Sequence, residues 1–185
     1  MINNRKSQVY KLTIGGLLLA VGIIISRLFH MFATPGLGMM FLPMHIGVFI
    51  AGLYLGPYYG TLIGLLTPLI NSLFGAPIFP FNIIMAMELA AYGLFAGLFT
   101  YILKRYFKNY KLNILSVYIS LIISMIMGRI IYAVVLFIMI KLFGMNLPAP
   151  LSVIESTITG IPGIIIQLLL VPGIVFALFK IEESY

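Results

Sequence analysis

The sequence predicts an all-α integral membrane protein: six transmembrane helices in a compact bundle, forming a single domain over residues 1–185. Three observations predict it. Of the 185 residues, 62% are hydrophobic and only 8% charged, whereas a water-soluble domain carries roughly 25% charged residues to solvate its surface. The mean hydropathy is +1.17, so the medium around most of the chain is lipid. The apolar residues also fall into six long stretches separated by glycine, proline and basic residues. Lipid offers no partner to an exposed backbone amide, so each stretch closes its own hydrogen bonds as a helix. The strict alternation of a barrel strand is absent.

The first stretch runs from about Val9 to Ala33, behind Arg5, Lys6 and Lys11, and ends at the turn Thr34 to Gly38. The second begins near Pro43 and stops at Gly56-Pro57. The third covers about Tyr58 to Phe74 and is followed by Gly75-Ala76-Pro77 and Pro80. These two are near the lower length limit for spanning. The fourth runs from Phe81 to Leu103 and leads into the charge run Lys104, Arg105, Lys108 and Lys111. The fifth covers Asn113 to Phe143. After Asn146 to Pro150 the sixth runs from Leu151 to Phe179.

The net charge of +7 comes from basic residues at helix ends, which indicates topology rather than nucleic-acid binding. With six spans, the N-terminal basic residues, the charge run and Lys180 share one side, and Lys141 lies on the other. That asymmetry predicts a multi-pass protein of the cell membrane with both termini cytoplasmic. The first stretch is too long for a signal peptide and lacks a cleavage site, so no cleavable signal is expected. The chain has no cysteine, which excludes disulfides, thiolate metal sites and a cysteine nucleophile. No zinc-ligand spacing, serine elbow or nucleotide-binding loop is present, so neither a metal nor a cofactor is expected.

The ionisable residues within the stretches are the candidates for function, because a charge in lipid costs on the order of 3 kcal/mol and needs a partner or a wet cavity. At about 1.5 Å per residue, Arg27 lies about 10 Å, Glu88 about 12 Å and Arg129 about 18 Å below the outer ends of their helices. They therefore point to a polar cavity open to the outside. The expected substrate-binding set is Arg129, Glu88 and His45, with Arg27 close by, Asn82 near the mouth, and Tyr132 and Phe79 among the aromatic walls. The loops Thr34 to Leu42 and Gly75 to Pro80 are expected to cover it. Each residue also has a purely structural reading. Glu88 and Arg129 form an interhelical ion pair, Arg27 snorkels, His45 caps a helix start, and Glu155 complements a helix dipole. Gln167 and Asn71 bond between helices. Gly16 and Ala20 have the small-x-x-x-small spacing that admits a second helix.

The run Leu42 to Gly60 (an apolar helix ending in Ala51-Gly52, then Gly56-Pro57-Tyr58-Tyr59-Gly60) resembles the hallmark of the S-components of energy-coupling factor (ECF) transporters. Thr61 to Ser72, the loop Phe74 to Pro80, Met87 to Gly93 and Gly128-Arg129 continue the likeness over nearly the whole chain. The resemblance implies a membrane-embedded, high-affinity binder of a vitamin or related micronutrient. It also implies docking on a transmembrane coupling protein and two ATPase subunits, which would supply the energy, since the chain has no ATP-binding motif of its own. It further implies docking through the first helix, where Gly16 stands in place of the first alanine of an Ala-x-x-x-Ala motif and Ala20 in place of the second. The Pro43-Met44-His45-Ile46 and Glu88-Leu89-Ala90-Ala91-Tyr92-Gly93 runs resemble most the group associated with pantothenate, whose carboxylate two intramembrane arginines suit. His45 and Glu88 equally suit a pyridine, pyrimidine, folate-like or deazapurine compound. Two other classes stand beside this one. An intramembrane enzyme would use His45 and Glu88 as a general-base pair, and a stand-alone channel would need polar residues along its whole path.

Overall fold

The computed structural model describes residues 2–32, 35–106 and 114–183, and every regular element among them is helical. Lys108 and Lys111 of the charge run, and Thr34 of the first turn, lie outside the described residues. The helices are α1 (Ile2–Phe32), α2 (Pro35–Phe41), α3 (Pro43–Ile50), α4 (Pro57–Ser72), α5 (Phe81–Tyr106), α6 (Ile114–Phe143), α7 (Ser152–Thr159) and α8 (Ile161–Glu183). A π-helical turn, Ala51–Leu55, extends α3.

Five helical stretches are long and apolar enough to cross a membrane: Gln8–Phe29, Leu37–Leu55, Phe81–Arg105, Ile114–Phe143 and Ile161–Ile181. The expected third span is the exception. As α4 it has 16 residues with Pro68 inside, about 24 Å at 1.5 Å per residue, against a hydrocarbon core of about 30 Å.

Two other boundaries differ from the sequence expectation. The segment expected to be a loop before Pro43 is the short helix α2. The expected sixth stretch breaks at Gly160, so that α7 forms a separate eight-residue helix ahead of α8. Elsewhere the proline and glycine punctuation holds. Pro43 and Pro57 occupy first helical turns, where the missing N–H is no loss. Gly56, at φ 98°, makes the sharp reversal into α4.

The centre of the bundle is α4 against α5, joined backbone to backbone. A Cβ on Gly93 would overlap the carbonyl and Cα of Gly60, and one on Gly60 would overlap Gly52 and the Gly93 carbonyl. Gly64 faces the Leu89 carbonyl and Gly97 faces Pro57 in the same way. The Gly60-x-x-x-Gly64 and Gly93-x-x-x-Gly97 spacings present one face of each helix without side chains, and close approach gains the dispersion contacts that hold helices together in lipid. Around this seam lies a core that includes Val48, Phe49, Leu53, Leu89, Leu121 and Val171. Gly47 brings α3 onto the backbone of Leu18 in α1, and Gly163 brings α8 onto Met40 and Phe41 of α2. Successive long helices run in opposite directions. The N-termini of α3, α5 and α8 therefore share one end of the bundle with the C-termini of α1 and α6 and with the short helices α2 and α7.

Candidate functional site

At that end a cavity of about 600 Å³ opens between α3, α6, α7 and α8. Its walls are apolar: Phe49 from α3, Met125 and Ala133 from α6, and Ile164 and Leu168 from α8. Its rim is formed by Ile122, Ile126 and Ile130 of α6 and Ile154 and Ile158 of α7, all of them exposed. The polar groups that reach it are His45, Arg129, Gln167, Thr157 and Tyr92. An apolar pocket with a few convergent polar groups is the usual form of a small-molecule site.

Arg129 projects from the middle of α6. Its Nη1 lies 3.0 Å from Glu88 Oε1, and Tyr92, one turn along α5 from Glu88, donates its hydroxyl to the same oxygen at 2.7 Å. Gly128 makes room for this arrangement, since a Cβ there would meet the Tyr92 ring. Glu88 is 2% exposed, whereas the Arg129 side chain is 16% exposed. The carboxylate is thus sealed behind the guanidinium, and the cavity meets Arg129 rather than Glu88.

His45 sits in the first turn of α3, 3% exposed, with no hydrogen-bond partner for Nδ1 or Nε2 among the described residues. Its ring tilts against Tyr92 at 5.4 Å between centroids. A buried imidazole without a partner is costly, and this one borders the cavity. A bound molecule would supply the missing partner, because a neutral imidazole offers one donor and one acceptor.

The turn before His45 is itself constrained. Leu42 has φ 50° and ψ 49°, a left-handed conformation that costs a non-glycine residue of order 1–3 kcal/mol. Its carbonyl accepts from the His45 backbone N–H at 3.1 Å and faces the buried Gln167 amide at 3.4 Å. The α2–α3 corner is therefore positioned against α8 at the cavity edge.

The structure brings His45 and Arg129 to the cavity, with Glu88 directly behind Arg129. The other expected site residues are not among the cavity lining. Arg27 binds elsewhere: Nε donates to Asn71 Oδ1 at 2.9 Å, Nη1 to the Phe74 carbonyl at 2.7 Å, and Nη2 to the carbonyls of Asn71 and Ala76 at 2.7 and 2.6 Å. It fastens α1 to the end of α4 and the following loop. Asn82 accepts from the Ile83 backbone N–H at 2.8 Å, within the first turn of α5. Phe79 is 60% exposed on that loop, and Tyr132 lies on α6 beside the ion pair, half-buried. The expected loop Gly75 to Pro80 does not line the cavity. That position is taken by α7, which the sequence reading had merged into one long helix. Arg27→Met is expected to loosen the 73–80 loop, seen as faster amide hydrogen exchange there, while ligand affinity changes less than about threefold. A larger affinity loss would place Arg27 at the binding site.

Gly16 and Ala20 lie on the exposed face of α1, and a Cβ on Gly16 would meet nothing within 4 Å. Packing within the chain therefore does not explain that spacing. Gly15, by contrast, is buried against Ile63 and Leu55 of the bundle.

Among the described residues, a helical bundle with five stretches apolar enough to cross a membrane, and an apolar cavity beside a buried ion pair, is the architecture of a multi-pass membrane protein. The sequence matches the family described as ECF transporter, substrate-specific component, over residues 10–181. The chain belongs to that family: it is a substrate-specific transport subunit and not an enzyme. Its partners by family are a small-molecule substrate and an ECF module of transmembrane and ATPase subunits. No curated protein and no solved structure matches the chain.

Proposed function

We propose that this subunit captures a vitamin or related micronutrient in the cavity between α3, α6, α7 and α8 and passes it to an ECF module docked on α1. The observation that carries the reading is His45, buried, unpartnered and bordering the cavity. Arg129 adds a charged donor beside it. A carboxylate vitamin such as pantothenate, the group the sequence resembles, has its support in Arg129. A neutral heteroaromatic compound has its support in His45 and in the Glu88 carboxylate that already balances Arg129.

The whole chain acts as one transmembrane unit of six passes, with α4 as the short one. Its 16 residues are tolerated because α5 and the π-helical turn pack along it, so part of its length faces protein rather than lipid. With six passes both termini lie on one side, and the basic residues there make it the cytoplasm of the cell, with the cavity at the outer face. A cysteine introduced beside Lys108 is then expected to resist an impermeant thiol reagent added to intact cells; labelling there reverses the topology.

The exposed stripe Leu12, Gly16, Leu17, Ala20 and Ile24 is the docking face. Its two small residues leave a shallow groove between larger ones, where a partner helix approaches closely. Gly16→Leu and Ala20→Leu are expected to abolish co-purification with the coupling protein while leaving ligand binding unchanged. Normal assembly of both variants would place docking elsewhere.

A further inference from the structure

Resting on the reading that this cavity is the substrate site, we infer that it selects molecules without net negative charge: uncharged, largely apolar compounds carrying one donor–acceptor edge for His45 and one acceptor for Arg129. Carboxylate ligands are the class it disfavours.

Charge balance comes first. Among the described residues, Arg129 is the one arginine or lysine lining the cavity, with the imidazole of His45 beside it. Its charge is already met by Glu88, whose Oε1 receives both Arg129 Nη1 at 3.0 Å and the Tyr92 hydroxyl at 2.7 Å. A guanidinium at ion-pair distance favours the ionised carboxylate, and the Tyr92 hydroxyl adds a second donor to it. The Arg129–Glu88 unit is therefore neutral as it stands. An anion added beside it would introduce an uncompensated charge in a low-dielectric site. A neutral acceptor would use the guanidinium edge left free by Glu88 and add no charge.

The Leu42 carbonyl at the cavity edge is already used by the His45 backbone N–H and Gln167.

The rest of the lining agrees. It includes five exposed isoleucines, three on α6 and two on α7. Lys141, near the same end, is on the exposed last turn of α6 and is not part of the lining. Glu155 is exposed on α7, also outside the lining. A site built to gather anions surrounds itself with basic residues; this one has isoleucines around Arg129.

The polar equipment fits the same class. Thr157 donates its hydroxyl to the Val153 carbonyl at 2.6 Å, and Gln167 directs its amide N–H at Leu42. This leaves the His45 ring, the free Arg129 N–H groups and the second Gln167 amide N–H as the donors available to a ligand. A ring nitrogen, hydroxyl or amide next to an apolar body satisfies the first two.

The test uses the full chain, purified in mild detergent from membranes of cells grown in rich medium. Small molecules released by heating are separated on an anion exchanger at pH 7 and weighed by mass spectrometry. A Thr157→Trp chain, with the cavity obstructed, serves as the blank. Release by wild type of an uncharged or cationic compound that is depleted at least tenfold in the blank supports the inference. A carboxylate or other anion depleted in the same way overturns the charge rule while leaving capture in this cavity intact. No compound depleted in the blank overturns the capture reading, and the inference with it. In the Glu88→Gln chain the Arg129 charge is uncompensated, so the anionic share of the released material is expected to rise at least tenfold. An unchanged share would mean that Glu88 does not set the charge preference.

Discussion

Replacing Arg129 by methionine is expected to weaken ligand binding by about ten- to hundredfold. A hydrogen bond from a charged donor is worth roughly 1.5–3 kcal/mol, and each 1.4 kcal/mol is tenfold in affinity. The single variant has a second effect, since Glu88, 2% exposed, loses its counter-charge. Removing one partner of a buried pair costs about 3–5 kcal/mol of stability. The informative comparison is therefore Arg129→Met/Glu88→Gln. It leaves no orphaned charge, so it should recover most of the stability and none of the affinity. Equilibrium binding and thermal unfolding of the two chains, measured in the same detergent, separate the effects. Full affinity in the double variant would reduce the pair to a structural tie between α5 and α6.

An effect on stability of similar size is expected at Gly93. An added methyl group there meets the carbonyl, carbonyl carbon and Cα of Gly60. All three are backbone atoms, so no side chain can rotate away, and α4 and α5 must separate along their shared seam. Overpacking usually costs 1–3 kcal/mol; with backbone on both sides Gly93→Ala is expected at about 3 kcal/mol or more. Gly16→Ala is the control, because its added methyl meets nothing within 4 Å; it should stay within about 0.5 kcal/mol of wild type. Comparable unfolding midpoints for the two variants would mean that the α4–α5 seam is not closed as described.

The two glycine patterns show what spacing alone conveys. Gly60/Gly64, Gly93/Gly97 and Gly16/Ala20 have the same four-residue interval, yet the first two face a neighbouring backbone and the third faces outward. The interval establishes that a face is smooth. Which helix covers it depends on the azimuth at which the bundle closes, and that follows from all the contacts together.

Arg27 illustrates the same limit. Its depth below the helix end is close to that of Glu88, but successive residues turn by about 100° around a helix. Arg27 is thereby directed at the end of α4 and not at α6. Glu88 and Arg129 were easier to pair, since two opposite charges in lipid-embedded stretches have few other partners.

Pro43, Gly56-Pro57 and the Gly75–Pro80 turn mark element ends as expected. Gly160-Ile161-Pro162-Gly163 is punctuation of the same kind, but glycine and proline also occur inside membrane helices, and the packing of α7 on α2, α6 and α8 shows that the chain turns there. That break supplies Val153, Ile154, Thr157 and Ile158 to the cavity, so one wall of the cavity is not legible without it. Gln167 had an interhelical bond as its expected role, and it has one, to the Leu42 carbonyl. Its position at the cavity edge was not visible, because Leu42 and Gln167 are 125 residues apart in sequence.

Native mass spectrometry of the chain released from detergent tests the central claim most directly, by comparing wild type with Ala133→Phe and Phe79→Ala. Ala133 lines the cavity, whereas Phe79, on the 73–80 loop, does not. The expected result is a small-molecule adduct on wild type and Phe79→Ala, and none on a folded Ala133→Phe chain. An adduct that persists undiminished in Ala133→Phe would contradict the assignment and place the substrate outside the cavity between α3, α6, α7 and α8.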